Sequence, residues 1–207
     1  DGIVMKTLLT DSIIVTMNAD KQVIDSAGLL IENGRIVWLG EMSSLPVFED
    51  AVYKISAKGK VIFPGFVNIH THAALSILRG IGDDLGVAPA YSPKVPQGVF
   101  LSPEDVYAFS LLGGLEALKF GATCIVDNYI YEHEAAKAFE LLGMRAVVSE
   151  RLHDADLFLI PEGRYEFDAY RGDQLLERGV DLCRVWEGSA NGRITTRIGP
   201  HAADTCS

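Results

Sequence analysis

The sequence predicts an α/β chain: a small β-rich module over residues 1–60, then a run of parallel βα units over residues 61–207. Three observations predict it. Apolar, β-branched runs joined by Asn33-Gly34 fill the first part. From Phe66 onward, strand-like and helix-like segments alternate, which is the signature of parallel βα units with right-handed crossovers. Finally, His70, His72, Asp127, Glu150, His153 and His201 all fall just after predicted strand ends, where sites of such folds lie.

The elements follow in order. Ser12–Met17 and Gly28–Glu32 are rich in β-branched or aliphatic residues, and Ile36–Leu39 is the returning strand of a hairpin. Asn33-Gly34 between them supplies the two residues that tolerate positive φ in a tight hairpin turn. Ala51–Ile55 reads as a further strand. Gly65–Ile69, after a Pro-Gly break, reads as a fully buried strand, and residues 73–101 as a long loop. Ser102-Pro103-Glu104-Asp105 opens a helix: a hydroxyl N-cap, proline in the first turn, and two acids at the positive end of the dipole. Gly121 stops that helix. Thr123–Val126, Arg145–Ser149 and Ile194–Ile198 are the next strands. Glu132–Leu142 and about Tyr170–Gly188 are the helices between them, with Asp154–Phe167 as another loop.

Composition narrows the function classes. The 207 residues carry 18 Lys and Arg against 28 Asp and Glu, a formal charge of −10. That balance argues against nucleic-acid and anionic-membrane partners, which reward clustered basic residues. No run approaches the roughly 20 unbroken apolar residues of a membrane span, and the first ten residues lack a secretory layout. Cys124, Cys183 and Cys206 are odd in number and widely spaced, and read as reduced thiols of a cytoplasmic protein. Phosphate-cradling glycine motifs and a G-x-S-x-G nucleophile elbow are absent from the sequence.

His70-Thr71-His72 is the pattern with chemical content. Residues i and i+2 of an extended segment point to one side, so two imidazoles can converge on one cation such as zinc, iron or nickel. The bland alternative is two polar groups at a loop start. Position after a buried strand favours the ligand reading.

Val61-Ile-Phe-Pro-Gly-Phe-Val-Asn-Ile-His-Thr-His72, followed by Leu78-Arg-Gly80, resembles the amidohydrolase superfamily. The similarity is to its aminohydrolase branch of purine, pyrimidine and triazine deaminases and chlorohydrolases, including S-adenosylhomocysteine and cytosine deaminase-like proteins. Leu115–Asp127 resembles the helix and second barrel strand of that family, and Gly199-Pro-His-Ala202 a segment before its mid-barrel metal histidine. The resemblance implies a (β/α)8 TIM-type barrel with an N-terminal β-sandwich module. It also implies one divalent metal, zinc ahead of iron, held in part by His70 and His72. Metal-activated hydroxide would then deaminate a small heterocyclic substrate. His201 matches a substrate-facing position. Gln97 lies roughly where relatives acting on adenosine compounds carry a glutamate for the ribose, and its neutrality weakens an adenosine reading. Arg151 and His153 follow the third barrel strand and are candidate substrate contacts, with surface roles as the alternative. Arg79 is a substrate contact or an ion-pair partner of Asp83 or Asp84, Asp127 a site residue or a turn cap, and His133 a solvated histidine. A homo-oligomer is compatible with the family.

The family's third metal histidine, its metal aspartate and its proton-transferring glutamate and histidine cannot be placed within these 207 residues. The catalytic groups are expected beyond Ser207, and the chain reads as the first half of a longer protein. Chlorohydrolase or cyclic amidase chemistry on the same metal, or an inactive, partner-dependent half-barrel, stand as the alternatives.

Overall fold

A computed structural model describes residues 6–47, 52–81 and 101–207. The chain divides between Pro64 and Gly65 into two compact units.

The first unit is a five-stranded sheet: β1 (Lys6–Val15), β2 (Val23–Glu32), β3 (Arg35–Glu41), β4 (Tyr53–Ser56) and β5 (Val61–Ile62). β1 is the centre, antiparallel to β2 and parallel to both β4 and β5. Asn33 at φ 49° and Gly34 at φ 74° make the β2–β3 turn, as the Asn-Gly pair requires. Ile14, Ala27 and Leu29 form its buried cluster.

The second unit holds a parallel sheet in chain order. β6 (Phe66–Thr71) pairs with β7 (Ala122–Tyr129), and β7 with β8 (Arg145–Leu152). β8 pairs in turn with β9 (Ile194–Thr196) and β10 (Gly199–Pro200). The last predicted strand is therefore two short pieces along one neighbour. Helices α1 (Pro103–Lys119), α2 (Glu132–Leu142) and α3 (Ala169–Trp186) fall between successive strands, giving the βα alternation. Their caps explain their positions. Ser102 Oγ accepts from Asp105 N at 3.1 Å while Asp105 Oδ2 accepts from Ser102 N at 2.9 Å, a reciprocal capping box. Gly143 ends α2 in the left-handed region, φ 70°. Asp168 caps α3 through Tyr170 N at 3.0 Å.

The core of this unit joins Val106 of α1, Phe139 of α2, Leu182 and Trp186 of α3, and the β7–β8 residues Ile125 and Val148. Burying such side chains contributes about 1.5–3 kcal/mol each.

Two expectations are corrected. β6 is not a fully buried strand: Phe66 is 62% exposed and Ile69 76%. The reason is topological, because among the described residues β6 pairs on one side only, with β7. Nor is the stretch after His72 wholly loop, since Ala73–Leu78 forms two 3₁₀ turns packed against α1. No helix among the described residues is long and apolar enough to cross a membrane.

Candidate functional site

The carboxyl ends of β6, β7, β8 and β10 bring together most of the residues singled out from the sequence. His70 and His72 sit at the end of β6 and just beyond it, their ring centroids 4.9 Å apart and nearly perpendicular. His70 is exposed; His72 is half-buried. The main chain of Asn128, at the end of β7, holds the second ring: His72 Nδ1 lies 2.5 Å from the Asn128 carbonyl oxygen. A carbonyl oxygen only accepts, so Nδ1 carries the hydrogen and Nε2 keeps its lone pair. Burial lowers the His72 pKa from its ordinary value, against the opposing pull of that hydrogen bond.

Asp127 positions the chain after His72. Its Oδ1 accepts from Ala73 N at 2.9 Å, and the residue is fully buried. Burial pushes its carboxyl up to about 7. The carboxyl anchors the backbone just after His72 rather than a turn of its own strand.

Tyr129, 0% exposed, is a site residue that motif reasoning missed. Its ring lies 5.7 Å from that of His72 and 4.9 Å below the Arg151 guanidinium carbon. The strand predicted from the sequence stops at Val126, three residues short of it, whereas β7 runs on to Tyr129. Arg151 is buried, and its charge depresses the pKa of His72, His153 and His201 alike. His153 and His201 stand with ring centroids 6.2 Å apart. Desolvation, then the Arg151 charge, brings each to about 4, so both rings are neutral at pH 7.

β10 and the turn after it fix His201. Its N–H donates to Leu152 O at 2.9 Å, and its Nδ1 lies 3.0 Å from Thr205 Oγ1. The Thr205 hydroxyl donates to Ala202 O at 3.1 Å, so Nδ1–H donates to Thr205 and Nε2 remains an acceptor. Gly199 permits this approach: a Cβ there would stand 2.7 Å from Ser149 Oγ and 2.9 Å from Asn128 Oδ1.

Several residues do not join the cluster. Glu150 turns to α3, where its Oε1 pairs with Arg178 Nη2 at 2.7 Å while the carboxylate accepts from Glu132 N at 3.1 Å. Arg79 makes a two-pronged pair with Glu116 of α1. His133, expected to be solvated, accepts from Trp186 Nε1 at 3.1 Å and lies 3.4 Å from an Asp181 oxygen. It is a helix-linking residue because α2 and α3 pack side by side. Gln97 lies outside the described residues. Glu132, read only as the start of a helix, is fully buried beside Asp127; burial and the Asp127 charge raise its pKa well above the ordinary range.

Among the described residues, no three His, Cys, Asp or Glu side chains gather closely enough to hold a metal ion.

A sequence profile of the amidohydrolase family matches residues 61–207. The chain is 37% identical over 201 residues to a 5'-deoxyadenosine deaminase of Methanosarcina acetivorans, covering 97% of this chain and 43% of that protein. It is also 37% identical over 202 residues to a 5-methylthioadenosine/S-adenosylhomocysteine deaminase of Desulforamulus reducens, covering 97% and 44%. Its structure superposes on a zinc-bound adenosine deaminase of Xanthomonas campestris with a TM-score of 0.81 at 25% identity, covering 97% and 44%. The chain spans less than half the length of these relatives. The matched segment contains every strand whose end bears a clustered histidine, and the chain belongs to the amidohydrolase family.

Proposed function

We propose that this chain forms part of a metal-dependent aminohydrolase that removes an amino group from a nitrogen heterocycle, with His70 and His72 as two of the metal ligands. One observation carries the reading: the hydrogen bond from His72 Nδ1 to Asn128 O, with the His70 ring beside it. A ligand imidazole needs its second nitrogen engaged by such an acceptor, which fixes the tautomer and aims Nε2 at the cation. Low basicity of His72 keeps that nitrogen unprotonated at neutral pH.

Two imidazoles suit zinc or iron, and zinc is the first choice because the Xanthomonas campestris relative binds it. Such a cation, when bound, supplies Lewis-acid activation of water for attack on an electrophilic ring carbon. The chain's own residues then bind and orient. His201 offers an unprotonated Nε2 to a ring N–H or hydroxyl of the substrate, and Arg151 offers donors from the end of β8. Gln97 is assigned a substrate contact from its sequence position. The remaining ligands and the proton-transferring groups are supplied from outside the described residues. Relatives named as deaminases of adenosine derivatives support a purine-like substrate.

The domain reading belongs to the same proposal: residues 1–60 as part of a β-sandwich module, and 61–207 as the first half of a (β/α)8 barrel.

Product analysis tests the function. The full-length protein, zinc-loaded, is incubated with adenosine, 5'-deoxyadenosine, cytosine, guanine, a chlorotriazine and a cyclic amide. Ammonia from an amino-heterocycle is the expected result. Chloride or a new carboxylate without ammonia would move the reading to a chlorohydrolase or cyclic amidase.

A further inference from the structure

Glu132, the first residue of α2, is 0% exposed, and the chain bends sharply to put it there. Tyr131 before it lies in the left-handed region at φ 54°, which a residue with a Cβ rarely adopts. The start of the helix is capped from β8: Glu150 accepts from Tyr131 N at 3.4 Å and from Glu132 N at 3.1 Å. An acid is almost never buried completely unless something engages it. Glu132 turns back to the end of β7, where it meets the Asp127 carboxyl and the main-chain N–H of Tyr129.

Both contacts lead to His72. The Tyr129 N–H belongs to the same peptide group as the Asn128 carbonyl oxygen, 2.5 Å from His72 Nδ1. A trans peptide is planar, with N–H and C=O on opposite sides, so an acceptor on the nitrogen fixes where the oxygen points. Asp127 in turn accepts from Ala73 N through Oδ1 at 2.9 Å. The His72 ring and the main chain just beyond it therefore each rest on a group that Glu132 touches.

Two buried carboxyls side by side do not both ionise. The charges acting on Glu132 include those of Asp127 and Glu150, both acidic, and the Arg178 guanidinium is paired with Glu150. Burial first, then those charges, hold the Glu132 proton well above the ordinary range, whereas Asp127 is pushed up to about 7. Glu132 is thus the donor of the pair. Its O–H donates to Asp127, its carbonyl oxygen suits the Tyr129 N–H, and Asp127 Oδ1 remains the acceptor for Ala73 N.

We propose that Glu132 is a positioning residue for His72, acting through the Asn128–Tyr129 peptide and through Asp127 to aim the ring at the metal. The effect on zinc rests on the ligand reading of His72; the effect on the ring does not need the metal.

The full-length protein is prepared metal-free with isotopically labelled histidine. Ring-nitrogen shifts of His72, assigned by their loss in His72→Gln, give its tautomer at about pH 7.5, where burial keeps the ring neutral. Zinc affinity is then measured by competition with a chelator. Glu132→Met fills the site without either hydrogen bond, so the ring loses its Nδ1–H preference and zinc binds about tenfold or more weakly. Glu132→Gln, whose amide donates to Asp127 and whose oxygen receives the Tyr129 N–H, keeps the tautomer and an affinity within about threefold of the parent. A residue that only supports the fold would lower the melting temperature without moving the tautomer. If Glu132→Met does not fold, Glu132→Asp, one methylene short of its partners, is held to the same direction with at least about a threefold loss. An unchanged tautomer or unchanged zinc affinity in the Met or Asp variant, or Glu132→Gln behaving like Glu132→Met, overturns the proposal. If the parent binds no zinc but the tautomer shifts as described, Glu132 still positions the ring and the ligand reading alone falls.

Discussion

His72 Nδ1 lies 2.5 Å from the backbone oxygen of Asn128, which ties the turn after β6 to the end of β7. The acceptor is main chain, so no side-chain substitution removes it directly. Its position is instead set by the packing of neighbouring elements, and the turn that carries His72 is wedged against α1. This makes the ligand geometry sensitive to residues that touch no substrate.

Gly113 on α1 is the clearest such residue. A Cβ there would stand 2.5 Å from the carbonyl oxygen of Ala73, the residue after His72. Alanine gains about 1 kcal/mol of helix propensity over glycine. Overpacking against rigid backbone costs about 1–3 kcal/mol and shifts the turn. Gly113→Ala is expected to lower zinc affinity, measured by competition with a chelator, with stability changed by less than about 2 kcal/mol. Unaltered zinc affinity would show that the turn position is not set by α1.

Asp127 makes stability depend on pH. Its carboxyl is pushed up to about 7 in the folded chain by burial, against about 4 when unfolded. A raised carboxyl pKa means that the folded state holds a proton the unfolded state loses. The stability it confers is full below pH 4 and is lost as pH rises toward 7. Asp127→Asn keeps an Oδ1 to accept from Ala73 N and removes the titration. The variant should be more stable than the parent at pH 8, with the advantage shrinking toward pH 4.5. Urea midpoints at three pH values check this, and a pH-independent difference would contradict it.

His153 gives the opposite slope. Its folded pKa is brought to about 4, below the ordinary 6.5, by desolvation and then by Arg151. The unfolded chain therefore takes up a proton first as pH falls, and stability present above pH 6.5 is lost toward pH 4. His153→Gln should flatten that loss in the same urea series. An unchanged acid limb would place the loss on other groups.

The sequence carried most of the architecture because local signals and tertiary structure agree. Asn33-Gly34 makes the turn its φ preferences require, and Ser102 with Asp105 caps α1. The His70-Thr71-His72 spacing put both rings at one strand end. What could not be read depends on contacts distant in sequence. Apolar composition marked β6 as buried, but composition does not say whether a strand has one neighbour or two. Tyr129 joins the site only because β7 lies between β6 and β8 in the sheet. Arg151 was legible as a candidate contact after the third barrel strand, but only the packing of α3 shows that its neighbour Glu150 is committed to Arg178.

The central claim is that His70 and His72 hold a metal ion. Elemental analysis of the full-length protein, beside His70→Ala/His72→Ala at matched stability, tests it most directly. The account predicts near-stoichiometric zinc or iron in the parent and its loss in the double variant. Metal retained in full by the double variant would contradict the ligand assignment and the proposed reaction with it.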